Sequence, residues 1–198
     1  MIMIPESCKN LLKVLKCKLE TMPPEGEGDH CLEDMELKWS KGPGFSIMPY
    51  GLELAGVVPC PIGVSEPKNK KNCFKYFLVD DFFAKAEIYG VSSTIVETEI
   101  YENDIGASYS IRFDDDGEAI RAVGVVFKDE VPSISCRLED DGEYWCYEYR
   151  HEEGEIISMV VHATNSVPGA EIFVERKEGG VVGLYFYNQG AKVYVYKI

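Results

Sequence analysis

A chain of 198 residues that is 45% apolar and 27% charged carries enough apolar material for one large folded core, and it lacks the bias of a disordered chain. Its formal net charge of −14 argues against nucleic acid or an anionic membrane as partner, because a field of that sign repels both. The excess is localised: residues 1–78 hold 10 basic and 10 acidic side chains, whereas residues 79–198 hold 10 basic and 24 acidic.

In chain order, the N-terminus Met1–Ile4 is apolar but meets Pro5 and Glu6 at once, so it does not read as a signal-peptide core. No apolar run reaches the roughly 18 residues of a membrane span, and a cytoplasmic protein is expected. Residues 5–20 read as an amphipathic helix. Cys8, Leu11, Leu12, Leu15 and Leu19 recur at helical spacing, Lys9, Lys13 and Lys16 form the opposite face, and Pro5 and Glu6 suit the first turn. The default for such a stripe is packing on the domain's own sheet.

Residues 22–34 read as a loop, and alternation at Met35, Leu37 and Trp39 gives a short strand. KGPGFS at 41–46 lacks the GK[ST] of a phosphate-binding loop and reads as a turn. Residues 45–58 offer one or two more strands. The run PCPIGVSEPKNKKNC at 59–73 is a linker or exposed loop between an N-terminal part, 1–58, and an antiparallel β domain, 74–198. Phe74–Phe83 reads as a buried strand followed by a turn or short helix, and 94–101 as a further strand.

From there the pattern is regular. Strands are expected to begin near 107, 118, 132, 143, 155, 171, 181 and 192, with Asp116-Gly117, Asp141-Gly142, Glu153-Gly154, Gly179-Gly180 and Gln189-Gly190 at the joints. Short strands at such spacing, joined by glycine-bearing turns, predict a mainly β protein. The expected fold is an antiparallel meander, barrel or sandwich, with one N-terminal amphipathic helix.

Turn types fix the register. Reading Asp116-Gly117 and Asp141-Gly142 as two-residue turns places Ile111 opposite Ala122, Tyr109 opposite Gly124, Leu138 opposite Trp145, Cys136 opposite Tyr147 and Ile134 opposite Tyr149. Reading Glu152-Glu153-Gly154 as a three-residue turn places Tyr149 opposite Ile157 and Tyr147 opposite Met159. The resulting apolar face is Ile134, Cys136, Leu138, Trp145, Tyr147, Tyr149, Ile157, Met159 and Val161. In this register Cys136 and Cys146 lie on opposite faces and are not bonded. The seven cysteines, at 8, 17, 31, 60, 73, 136 and 146, form no CxxC pair and are odd in number. Free thiols in a reducing compartment are expected, with neither a zinc ribbon nor a disulfide framework.

The segments SIRFDDDGEAIRAV (110–123) and YEYRHEEGEIISMV (147–160) share a pattern of alternating aromatic or apolar residues, an acidic turn, glycine and a further apolar strand. This resembles the hairpin of bacterial YD repeats over two hairpins, without the family's repeated YD dipeptide. The resemblance implies shared hairpin chemistry and a bacterial origin.

No catalytic, metal or cofactor motif stands out. Neither Asp114-Asp115-Asp116 nor Glu139-Asp140-Asp141 has calcium-loop spacing, and His162, the one histidine expected within a strand, has no evident catalytic partner. A non-enzymatic protein without cofactor or metal is therefore expected. Acidic charge with clustered tyrosine points to a surface that captures a basic protein, such as an immunity or inhibitor protein against a nuclease toxin. The residues assigned to that surface are Asp114, Asp115, Asp116, Glu139, Asp140, Asp141, Glu148, Glu152, Glu153, Tyr185, Tyr187, Tyr194 and Tyr196. Tyr185, Tyr187, Tyr194 and Tyr196 are expected on one face of the last hairpin, opposite Leu184, Phe186, Val193 and Val195. A lipocalin-like small-ligand barrel is the alternative.

Overall fold

The structure is a computed structural model, which describes residues 4–21, 36–41, 62–63, 65–79, 82–165 and 169–197. The loop expected at 22–34 and the strands at 45–58 lie outside the described residues, as does the turn expected at 41–46 apart from Lys41, which ends a strand. Among the described residues one helix, α1 (Glu6–Thr21), precedes thirteen strands: β1 (Glu36–Lys41), β2 (Ile62–Gly63), β3 (Cys73–Val79), β4 (Phe82–Tyr89), β5 (Ile95–Glu102), β6 (Ala107–Phe113), β7 (Ala119–Lys128), β8 (Val131–Glu139), β9 (Tyr144–Glu152), β10 (Glu155–Ala163), β11 (Ala170–Lys177), β12 (Gly180–Asn188) and β13 (Ala191–Lys197). Phe74–Phe83 thus spans β3 and the start of β4, with a second strand where a turn or short helix was expected.

All thirteen strands form one antiparallel sheet in the order β13-β12-β11-β10-β9-β8-β7-β6-β5-β4-β3-β1-β2. The meander is as expected. On the open question between barrel and sandwich, the sheet formed by the described residues runs from an edge at β13 to an edge at β2 and does not close on itself. Strands β1 and β2, from the N-terminal part and the expected linker, extend this same sheet.

The helix lies across β6, β7 and β8. Cys8, Leu11 and Leu15 are buried against Tyr109, Ile111, Phe113, Ala122, Cys136 and Cys146, with Leu12 and Leu19 at the margin. The expected apolar stripe is the face that packs. Gly124 makes the close approach: a β-carbon there would meet Leu11 Cδ1 at 2.9 Å and Leu15 Cδ2 at 3.0 Å. A second cluster of Tyr149, Ile156, Met159, Val181 and Leu184 sits on the opposite face of the later strands.

Turn chemistry, not strand position, departs from expectation. At Asp140-Asp141-Gly142 only Gly142 has positive φ (89°), Glu139 N–H donates to Glu143 O at 2.8 Å, and the turn has three residues. It therefore pairs Leu138 with Tyr144, Arg137 with Trp145 and Cys136 with Cys146. The two cysteines are directly opposed and joined by a disulfide, which corrects the expectation that they lie on opposite faces. Conversely, Glu153 (φ 51°) and Gly154 (φ 83°) form a two-residue turn, and a bulge between Ile156 and Ser158 then pairs Tyr149 with Met159. The β6–β7 turn also has three residues, but a bulge between Arg112 and Phe113 restores the expected pairs Ile111–Ala122 and Tyr109–Gly124.

In consequence the single apolar face expected for 134–161 divides. Ile134, Cys136 and Leu138 lie with Tyr144 and Cys146 on the helix face; Trp145, Tyr147 and Tyr149 lie with Met159 and Val161 on the other. Ile157, the extra residue of the bulge, is exposed.

Candidate functional site

Because successive hairpins alternate between the two ends of a meander, the β6–β7 and β8–β9 turns project from the same end, and Glu152 and Glu153 of the β9–β10 turn project from the other. Ten of the thirteen assigned residues fall in three places, while Glu152 and Glu153 stand at the far end and Tyr196 lies on the opposite face.

The first is the paired acidic turns. Asp114 Oδ1 accepts the N–H groups of Asp116 and Glu118, each at 2.9 Å, which holds the first turn. Asp141 Oδ1 accepts Glu143 N–H at 2.9 Å in the second, and Asp140 N–H donates to Ile120 O at 3.1 Å, tying one turn to the other. Asp114, Asp115, Asp116, Asp140 and Asp141 are exposed, and none has an ion-pair partner among the described residues. Glu139 differs: it is half-buried and engaged by Arg121 at 3.0 Å and by Arg137. Beside these turns an open groove runs along α1, lined by Leu12, Leu19, Ala119 and Leu138 together with Lys9, Lys13, Lys16, Asp140 and Asp141.

The second place is the last three strands on the helix face. Phe173, Tyr185, Tyr187 and Tyr194 form a ladder of rings with centroids 5.6 to 5.9 Å apart. Lys192 Nζ stands 3.8 Å from the Tyr185 ring centroid, Lys197 Nζ stands 4.5 Å from that of Tyr194, and Glu175 takes both Lys192 (2.8 Å) and Tyr194 Oη–H (2.7 Å). These two hydrogen bonds, Lys192 first, hold the Glu175 carboxyl below its usual range. Tyr185 and Tyr194 are therefore already faced by cations of the same chain, while Tyr187 is exposed. Tyr196 is not with them. A bulge between Leu184 and Tyr185 pairs Tyr196 with Leu184, which carries it to the opposite face and its core cluster.

The third place lies under the first turn of α1. The assigned Glu148 accepts a hydrogen bond from His162 Nε2 at 2.9 Å, and His162, buried, pairs across the sheet with Cys146. Cys8, Cys136 and Cys146 bring their sulfur atoms within 4.8 Å of one another. Burial, with the Glu148 carboxylate adding to it, pushes the Cys8 thiol up to about 11. Of the described cysteines outside the disulfide, Cys8 and Cys73 are buried and Cys17 is exposed. The one sequence signal for this grouping is Cys8 at the head of the apolar helical stripe; its partners, 128 and 138 positions away, share that face because the β8–β9 turn has three residues where two are expected.

No helix among the described residues is long and apolar enough to cross a membrane. In comparison with known proteins, no family model matches the chain and no curated protein matches it.

Proposed function

We propose that this chain is a non-enzymatic acidic binding protein that captures a basic protein partner, its most concrete form being an immunity or inhibitor protein matched to a basic nuclease toxin. The observation that carries the reading is the pair of knitted turns presenting Asp114, Asp115, Asp116, Asp140 and Asp141 without ion-pair partners among the described residues. Carboxylates held on short turns lose little conformational freedom on binding, and their summed field steers a cation from beyond contact distance. The −14 net charge of the whole chain extends that field. The tyrosine ladder takes a lesser part, since Lys192 and Lys197 repel a cation approaching there.

The test is affinity isolation from the native host at low salt. The immobilised chain is compared with a variant carrying Asp→Asn at 114, 115, 116, 140 and 141, which keeps the turn acceptors. A basic protein held by the first, released by salt and lost from the variant supports the reading. A partner held equally by both, or no basic partner at all, ends it.

A further inference from the structure

The sulfur cluster lies apart from the acidic turns and draws on three elements. Cys8 comes from the first turn of α1, Cys136 from β8 and Cys146 from β9, and the three are 0%, 1% and 0% exposed. Their sulfurs fall within 4.8 Å of one another. Cys8 is held there by the packing of Leu11 and Leu15 on the same helix face, and Cys136 and Cys146 by direct cross-strand pairing. On the next strand His162 lies opposite Cys146, on the same face, with Nε2 2.9 Å from Glu148 Oε2.

We propose that, once the Cys136–Cys146 bond is reduced, this cluster is a site for one thiophilic divalent cation of the zinc type, held by the thiolates of Cys8, Cys136 and Cys146 with His162 as fourth ligand. A tetrahedral site with metal–sulfur bonds of about 2.3 Å needs sulfurs about 3.8 Å apart. Side-chain rotations moving each sulfur by about 1 Å satisfy this from the present positions. The nitrogens of His162 do not lie within 4.8 Å of all three sulfurs, so its ring has to turn toward them; opposed residues in a sheet have β-carbons about 5 Å apart, which an imidazole spans. The bond from His162 Nε2 to Glu148 leaves Nδ1 as the ligand nitrogen, and a carboxylate behind a metal-bound histidine is the usual orienting partner.

The chemistry balances in two steps. A dithiol or phosphine reductant supplies two electrons, the S–S bond breaks and each sulfur takes a proton. Cation binding then releases three protons, one from each thiol. The disulfide is thus the oxidised, cation-excluding form of the same ligand set. Occupancy would tie the helix to β8 and β9 at one point.

Cobalt(II) is the probe, because its spectrum reports both thiolate ligation and tetrahedral geometry. The chain, with Cys17, Cys31, Cys60 and Cys73 changed to Ser, is reduced with a phosphine and titrated without oxygen. One equivalent should bind with thiolate-to-metal charge transfer and strong visible bands, and zinc should displace it. The same chain with its disulfide intact controls for folding and should give no such spectrum. Cys8→Ser should remove it from the reduced chain, and Glu148→Gln should weaken binding about 10-fold. Equal uptake by reduced and oxidised chains, or a thiolate spectrum that survives Cys8→Ser, overturns the site. Binding unaffected in strength and spectrum by His162→Ala overturns the four-ligand assignment.

Discussion

Cys136 and Cys146 face each other across the β8–β9 hairpin with α-carbons 4.1 Å apart, and their disulfide locks the register that brings both beneath the first turn of α1. The bond closes a short loop, with a sequence separation of 10. The chain-entropy argument assigns a loop of that size about 2–3 kcal/mol of stability. Urea unfolding with and without a reductant should differ by about that amount. Peptide mapping without reduction should recover the 136–146 bridge; recovery of both cysteines as free thiols from protein purified without reductant would show that the register is not locked in this way.

Gly124 sets how close the helix can come. A β-carbon at this position would press on Leu11, Leu15 and Tyr109, all buried, so none has open space to retreat into. Gly124→Ala should destabilise by about 1–3 kcal/mol, the usual range for overpacking. Leu15→Ala alone should cost about 2–5 kcal/mol as a cavity. Combined, the two should cost less than their sum, because the added methyl fills part of the vacated space. Strict additivity in urea melts would place the helix elsewhere on the sheet.

Asp114 holds the β6–β7 turn through the two backbone N–H groups it accepts. Asp114→Ala should lower stability by about 1 kcal/mol, and Asp114→Asn, which keeps the acceptor, by less. Chemical denaturation of the two variants distinguishes them. Equal losses would mean that charge, not the turn hydrogen bonds, is what the residue contributes.

These turns also mark how far the sequence could be read. Strand positions from β6 onward were legible because glycine-bearing joints recur between runs of alternating residues, and the helix because Cys8, Leu11 and Leu15 share one face. Facing was not legible. An Asp-Gly pair suits both a two-residue turn with two positive φ values and a three-residue turn with one, and side-chain bonds from Asp114 and Asp141 stabilise the second. A change of one residue in turn length exchanges the two faces of a strand, so Trp145 and Tyr147 left the helix face while Cys146 joined it. Bulges, such as those beside Phe113 and Tyr185, shift the pairing again and have no reliable mark in the sequence. The acidic turns were found because charge is local. The sulfur cluster was not, because it depends on facing.

Tyr149 should give the fold an alkaline limit. Its ring is buried and its hydroxyl lies 2.6 Å from Ser135 Oγ. Burial pushes its pKa well above the ordinary value near 10, with the Ser135 hydrogen bond opposing the rise only in part. The folded state therefore keeps the neutral phenol at a pH where the unfolded chain already loses the proton. Stability from this residue is fully present below about pH 10 and falls by about 1.4 kcal/mol for each further pH unit until the folded pKa is reached. Tyr147, also raised by burial, adds to the slope. Tyr149→Phe should cost about 1–2 kcal/mol at pH 8, where Ser135 loses its partner, and should flatten the decline between pH 10 and 11. Urea melts of both proteins at pH 8, 10 and 11 measure this directly; parallel declines would show that Tyr149 ionises as readily in the folded chain as in the unfolded one.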